Sequence, residues 1–291
     1  MDLDTVIRSF RNGFDWLSDR NAYIWFGALV VLWTLAYSAN AIMGGTEFRI
    51  AVSAIDYAMK FVGLFMIVPI ALKHYGIKTG FGSVSLKNVT EWVKYTVVNS
   101  VVPFFNWQDR RMLMAQIVIA VAGVLLWFGG FDQQIGALNA LDPINPSVQA
   151  LDGINLTIVA LGLLVLGLIW LLQMYNSIRY ALLIQVRLSE GKDIMDSVGK
   201  AWKLTKGNFV TTLLLFAVWS IFSYIVGWAA SFIGNVLPFF NGIVFSFMTV
   251  TWAYVFTGLY VSLKGSAYAG AEDAAARKTP PVHAVRKKKR F

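Results

Sequence analysis

Two charged residues inside an apolar stretch carry the strongest chemical signal in this sequence. Asp56 and Lys60 lie in the stretch 51–73 and are four residues apart, so a helix places both on one face. Charged side chains are costly in hydrocarbon, and they normally face a partner or a cavity. Two interpretations stay open: a mutually neutralising ion pair, or a proton or ion relay or docking point for a partner helix.

The other reactive residue types do not form a catalytic pattern. The chain has no cysteine and only two histidines, His74 and His283, so we expect no metal site, no cofactor and no Ser–His–acid triad. The phosphate loop GxxxxGKS/T and the nucleophile motif GxSxG do not occur in the sequence. We therefore expect a protein that is not an enzyme.

Six apolar stretches predict an all-α membrane protein with six transmembrane helices. Each has about 20 residues, enough to cross roughly 30 Å of hydrocarbon as a helix. They lie at 22–43, 51–73, 112–131, 155–178, 208–232 and 238–263. Pro69 is expected to kink the second one. The composition agrees, since 14% of residues are charged, against about a quarter in soluble domains.

The distribution of lysine and arginine predicts how the spans are oriented. With the six spans above, 23 of the 25 cations fall on one side of the membrane, while the opposite loops hold only Arg49. By the positive-inside rule, we expect a multi-pass protein of the cell membrane with both termini in the cytoplasm. The segments on that side are too short to form a folded nucleic-acid-binding surface, so we expect no nucleic-acid partner.

Three regions follow from this topology. We predict a cytoplasmic N-terminal segment at 1–21, a six-span membrane domain at 22–263 and a disordered basic cytoplasmic tail at 264–291. Within the membrane domain, residues 82–101 and 191–210 are similar. Their identities are Gly82/Gly191, Val89/Val198, Lys94/Lys203, Thr96/Thr205, Asn99/Asn208 and Val101/Val210. The chain is therefore expected to consist of two three-span halves, with the similarity confined to these segments.

Both similar segments have the apolar spacing of cytoplasmic amphipathic helices. The second surrounds Trp202 with lysines, which suits a helix lying in the headgroup layer, and the tail ends in consecutive cations that attract anionic lipid. The predicted lipid-contact residues are Lys94, Lys200, Trp202, Lys203, Lys206, Arg286, Lys287, Lys288, Lys289 and Arg290. The alternatives are that the helices only cover the inner end of the bundle and that the tail is only a topology signal.

The C-terminal third resembles a known membrane domain. After Arg179 come Gly191-Lys192-Asp193-Ile194, then SVGKAWKLTKGNF at 197–209, then two apolar helices. This order resembles the six-span membrane domain associated with glycerophosphodiester phosphodiesterases, and related uncharacterised prokaryotic membrane proteins that lack the phosphodiesterase. The resemblance implies a six-span fold and a prokaryotic origin. It implies no activity, because its motif carries no catalytic residue.

These observations favour a non-enzymatic protein that acts as a scaffold, an accessory subunit or a lipid-contacting module. Its expected partners are membrane lipids, anionic ones above all, and another protein in a membrane complex. The competing interpretation is a small transporter or channel whose pathway consists of Asp56, Lys60, Pro69 and the polar residues of the fourth span. A membrane lipid hydrolase ranks third. An interior filled by Phe, Trp and Leu side chains would favour the scaffold. A water-accessible vestibule reaching Asp56 would favour transport.

Overall fold

Every regular element in the described part of the chain is helical. A computed structural model describes residues 3–42, 58–59, 61–79, 86–101, 108–139, 154–190, 193–234 and 237–278. Within these ranges the prediction of an all-α protein is confirmed. Asp56, Lys60 and the tail cations at 286–290 lie outside the described residues, so the proposals made for them stay predictions.

The described residues form eleven α-helices. They are α1 (Leu3–Asn12), α2 (Arg20–Ile42), α3 (Val68–His74), α4 (Leu86–Val101), α5 (Arg110–Phe128), α6 (Phe131–Asn139), α7 (Leu156–Arg179), α8 (Leu183–Glu190), α9 (Ile194–Lys206), α10 (Phe209–Gly234) and α11 (Pro238–Lys278). A 3-10 helix at Asp15–Ser18 lies between α1 and α2, and a π-helix at Val62–Ile67 precedes α3.

Four helical stretches of the described chain are long and apolar enough to cross a membrane. They are Arg110–Phe128, Leu156–Glu190, Phe209–Gly234 and Phe239–Gly265. They overlap the third to sixth predicted spans. The first predicted span overlaps α2, and the second overlaps the shorter apolar stretch Phe65–His74. These first two spans, and the total of six, stay predictions.

The chain divides into two compact units. Residues 1–92 and 182–291 form unit 1, and residues 93–181 form unit 2. The boundaries do not fall between the third and fourth predicted spans, so the units do not correspond to the two predicted three-span halves. The duplication itself stays a prediction from the sequence.

Unit 1 is built around α11. This helix packs against α1, α2, α3, α8 and α10. Of its apolar window, 61% is buried, against 6%, 11% and 22% in the other three candidate spans. A helix that is apolar all round is suited to such a central position. The largest fully buried side chains all belong to this unit: Trp16, Tyr254, Tyr260, Phe65, Phe256, Leu29, Ile67, Leu72, Leu182, Leu183, Ile184 and Leu188.

A π-helix interrupts regular helix geometry just before Pro69, where the sequence predicts a kink. Pro69 lies in the first turn of α3, directly after the π-helix at Val62–Ile67. Proline has no N–H to donate to the carbonyl four residues earlier, and its ring collides with that carbonyl, so a wider turn relieves both problems. Within this turn Gly63 lies against α11, since a Cβ there would be 2.8 Å from a methyl carbon of Thr249.

A glycine cap ends α3. Gly76 has φ +77, a conformation that residues with a Cβ rarely adopt. The amide of Ile77 donates to the carbonyl of Leu72 at 2.9 Å, and that of Gly76 donates to Lys73 at 2.9 Å. These two bonds form a Schellman motif, which satisfies carbonyls at the end of the helix. The helix therefore stops directly before Tyr75.

Unit 2 exposes most of its apolar side chains. Helix α5 packs against α7, and α6 packs against both. The side chains of Asp109 and Asn155 cap α5 and α7, each accepting hydrogen bonds from two backbone amides of the first turn. Exposed large apolar side chains of the two long helices include Val118, Leu125, Phe128, Leu164 and Trp170. Apolar surface of this extent marks contact with lipid or with another protein.

Candidate functional site

A basic cavity of about 330 Å³ lies in unit 1 where α8, α9 and α11 meet. It is lined by Val186, Glu190, Lys200, Lys203, Leu204, Tyr260 and Lys264. Three ammonium groups and one carboxylate give this lining an excess of positive charge. Lysine offers three donors and no acceptor, so the cavity is chemically suited to bind an anion.

Helical spacing explains why these side chains converge. Each of the three helices contributes residues that are three or four positions apart, and such residues lie on one face. On α9 the cavity face carries Lys200, Lys203 and Leu204. Another part of α9 is buried inside unit 1, with Val198 and Ala201 fully inaccessible. Burial of that part therefore orients the lysines of α9 towards α8 and α11.

Glu190 forms ion pairs with two of the cavity lysines. Its Oε2 contacts Lys200 Nζ, and its Oε1 lies 3.9 Å from Lys264 Nζ. The side chains are partly exposed, so each pair contributes at most about 1 kcal/mol to stability. Their main effect is to hold both ammonium groups at the cavity. Lys203 is exposed and pairs with no carboxylate in the described part of the chain.

A chain of hydrogen bonds orients Lys264. Its Nζ donates to the Tyr260 hydroxyl at 3.2 Å, which lies 2.6 Å from Ser189 Oγ. Ser189 Oγ in turn donates to the carbonyl of Val186 at 3.3 Å. The hydroxyl proton of Ser189 is used in that bond, so the Tyr260 hydroxyl donates to Ser189 Oγ. Tyr260 is therefore left as the acceptor for the lysine, and Lys264 has a defined position without any ligand.

A more deeply buried ion pair fixes α8, the helix that carries Glu190. Arg187 Nη2 donates to Glu91 Oε2 at 2.5 Å, and the two side chains are only 10% and 13% exposed. Glu91 lies in the first turns of α4, within unit 1. Charges this far from water are costly unless they are paired, so the pair constrains how the first turns of α4, which belong to unit 1, pack against α8.

A second polar cluster joins the N-terminal segment to α3 and α11. Tyr75 donates to Asp15 Oδ2 at 3.0 Å, Tyr254 donates to Asp19 Oδ2 at 2.9 Å, and His74 Nδ1 lies 3.6 Å from the same atom of Asp19. Burial raises the pKa of the Tyr75 hydroxyl, and the neighbouring charge of Asp15 and the hydrogen bond to it raise it further. Tyr75 therefore stays a protonated donor near neutral pH.

Trp16 completes this attachment of the N-terminal segment. Its side chain is 2% exposed, and its Nε1 donates to Thr251 Oγ1 at 3.0 Å. Close packing continues at Gly13, where a Cβ would lie 2.3 Å from a methyl carbon of Val255. The segment 1–21, expected from its polarity to lie outside the membrane domain, thus packs against α11.

In the part of the chain that the structure describes, no group of three His, Cys, Asp or Glu side chains is placed to hold a metal ion.

The structure places the predicted lipid-contact residues in different settings. Lys200 and Lys203 line the basic cavity. Lys206 does not line it and lies over the ring of Trp202, 4.9 Å from its centroid. Trp202 is 9% exposed, which leaves little of its ring for lipid. Lys94 is exposed on the part of α4 that belongs to unit 2.

Three polar cavity residues, Glu190, Tyr260 and Lys264, were not predicted as site residues. A sequence signal exists for one pair, since Tyr260 and Lys264 lie four residues apart at the end of an apolar stretch. No local signal shows that this end of α11 meets α8, because that contact joins residues far apart in the chain.

Comparison with known proteins gives no match: no family model, no curated protein and no solved structure matches this chain. The resemblance of residues 179–264 to the phosphodiesterase-associated membrane domain therefore stays a prediction.

Proposed function

We propose that this chain is a non-enzymatic integral membrane protein of prokaryotes, a scaffold or accessory subunit that contacts anionic lipid on the cytoplasmic face. The packed interior of unit 1 carries this proposal. Large side chains such as Tyr254, Tyr260, Phe65 and Phe256 fill its described core with almost no exposure. A transport pathway needs continuous polar space, whereas a scaffold needs a rigid body with a large outer surface.

Two other cavities of the described chain support the same conclusion. One of about 420 Å³ lies in unit 1 beside the π-helix and is lined mainly by apolar side chains of α10 and α11, among them Trp219, Met248 and Trp252. Another, of about 440 Å³, lies in unit 2 between α5 and α7 and is also mainly apolar. Apolar cavities do not attract ions or water, so these suit lipid chains or a partner helix better than a polar solute.

Co-purification tests the scaffold function directly. The tagged full chain is extracted from its native membrane in a mild detergent, and the bound proteins and lipids are identified by mass spectrometry. We expect a protein partner in a fixed ratio to the chain, together with anionic lipid enriched over the bulk membrane extract. A mock purification from cells without the tag is the control. A chain that retains neither partner nor enriched lipid would contradict the proposal.

A transporter or channel is the second candidate function, and the π-helix before Pro69 favours it. Interrupted helices line the binding sites of many transporters, and Asp56 and Lys60 lie a few residues before this interruption in the sequence.

Flux through liposomes separates the two candidates. For a scaffold, we expect no proton or ion flux above that of protein-free liposomes, with either the original chain or the Asp56→Asn variant. Asp132→Asn, which changes an exposed acid of α6, is the matched control. Flux that Asp56→Asn reduces at least tenfold, and that Asp132→Asn leaves unchanged, would establish transport and reject the scaffold.

A further inference from the structure

We propose that the basic cavity binds the phosphate group of an anionic membrane phospholipid, with Lys200, Lys203 and Lys264 as its ligands. This inference rests on the proposed membrane function and gives its lipid contact a defined site. Phosphate oxygens accept strong hydrogen bonds from ammonium groups. The three lysines converge from two helices on a cavity of about 330 Å³, the lower end of the range for small-molecule sites.

The position of Lys264 places the cavity at the depth of lipid headgroups. Lys264 is the penultimate residue of the apolar stretch Phe239–Gly265, which has 27 residues. A helix of this length spans about 40 Å, close to the thickness of a bilayer with its headgroup regions. The end of this stretch therefore lies at the level of the phosphate groups.

The lining is suited to a lipid more than to a free anion. Val186 and Leu204 give the cavity an apolar wall beside its lysines. A phospholipid presents apolar carbons next to its phosphate, so it can use both kinds of surface, whereas inorganic phosphate uses only the charged one. The combination of charged and apolar lining therefore favours the lipid.

Glu190 affects both the positions of the lysines and the affinity of the cavity for phosphate. Its carboxylate pairs with Lys200 and Lys264 and so keeps both lysines in place before a ligand arrives. The same negative charge opposes an incoming phosphate. Binding is therefore expected to be moderate and reversible, and removal of the charge should strengthen it.

Lysine variants that differ only in their relation to the cavity test the site. The full chain in a neutral detergent is titrated with dioctanoyl phosphatidylglycerol, dioctanoyl phosphatidylcholine and inorganic phosphate, and bound ligand is counted by native mass spectrometry. Lys203→Gln is expected to weaken phosphatidylglycerol binding about fivefold, the effect of one lysine charge near anionic lipid. Glu190→Gln is expected to strengthen it by a factor of about three, less than the effect of a full charge at that distance.

Lys78→Gln is the matched control, because it removes the same charge from an exposed position of unit 1 outside the cavity lining. We expect it to leave binding of the short-chain lipid unchanged. Lys203 has no ion pair among the described residues to lose, so Lys203→Gln should fold normally, and thermal unfolding of each variant verifies this. Equal effects of Lys203→Gln and Lys78→Gln would overturn the site. Inorganic phosphate binding as tightly as phosphatidylglycerol would overturn the lipid as its ligand.

Different results would reject the cavity proposal and the scaffold proposal. If the partner protein still co-purifies while Lys203→Gln and Lys78→Gln bind lipid equally, the cavity proposal fails and the scaffold stands. If the original chain conducts ions in liposomes while the lysine variants behave as expected, the scaffold fails and the lipid site stands.

Discussion

Replacement of Trp16 by alanine is expected to lower the free energy of unfolding by about 3–5 kcal/mol, the range for large buried aromatic residues. The indole is 2% exposed and packs against Tyr23, Phe26 and Phe247. Its loss leaves a cavity between the N-terminal segment, α2 and α11, and it also leaves Thr251 without its donor. Thermal unfolding of the detergent-solubilised chain, followed by far-ultraviolet circular dichroism, measures the loss.

Trp228→Ala is the control for this prediction. Trp228 is 60% exposed on α10 of the same unit, so its removal creates no internal cavity. We expect it to change stability by no more than about 0.5 kcal/mol, as surface substitutions usually do. If the two variants unfolded at the same temperature, the N-terminal segment would not be a packed part of unit 1.

Separation of the Arg187–Glu91 pair is the second change with a large expected effect. Arg187→Met leaves the carboxylate of Glu91, 13% exposed, without its guanidinium. Removal of one partner of a buried pair typically costs about 3–5 kcal/mol, because the remaining charge is poorly solvated. The same unfolding measurement applies. The double variant Arg187→Met with Glu91→Leu should recover most of the loss, since neither charge then remains.

Lys200→Met provides the comparison with a more exposed pair. Lys200 is 39% exposed beside Glu190, so its replacement should cost no more than about 1 kcal/mol. A loss as large as that of Arg187→Met would show that exposure does not determine the contribution of these pairs. A double variant less stable than Arg187→Met alone would show that Glu91 stabilises the protein through contacts other than its ion pair with Arg187.

The length of apolar runs was enough to locate four long apolar helices, and the π-helix at Val62–Ile67 lies directly before the turn that contains Pro69, where a kink was predicted. Such features are local, because they depend on the solubility and backbone geometry of neighbouring residues. The role of segment 1–21 was not readable in the same way. The segment is polar in overall composition, but Val6 and Trp16 are buried in it. Their burial depends on α11, which is distant in the sequence.

The cavity shows the same limit of sequence reasoning. Lys200 and Lys203 were predicted as lipid-contact residues from the basic pattern of their helix. Glu190 and Lys264, the other charged residues of the lining, lie on α8 and α11. The sequence pattern of α9 does not show that these helices contact it. Trp202 was placed at the lipid surface because tryptophan favours interfaces, but burial of its ring inside the helix packing gives it mostly protein neighbours.

The hydrogen bond from Trp16 to Thr251 joins residues 235 positions apart, which has a consequence for biosynthesis. A ribosome that adds about 5–20 residues per second needs roughly ten to fifty seconds to make the intervening chain. During that interval the inner surfaces of the N-terminal segment and α2 have not yet met the helix that covers them. Nascent chains are therefore most vulnerable to aggregation and membrane proteases in this interval, and a stop codon before residue 251 would leave every product permanently in that state.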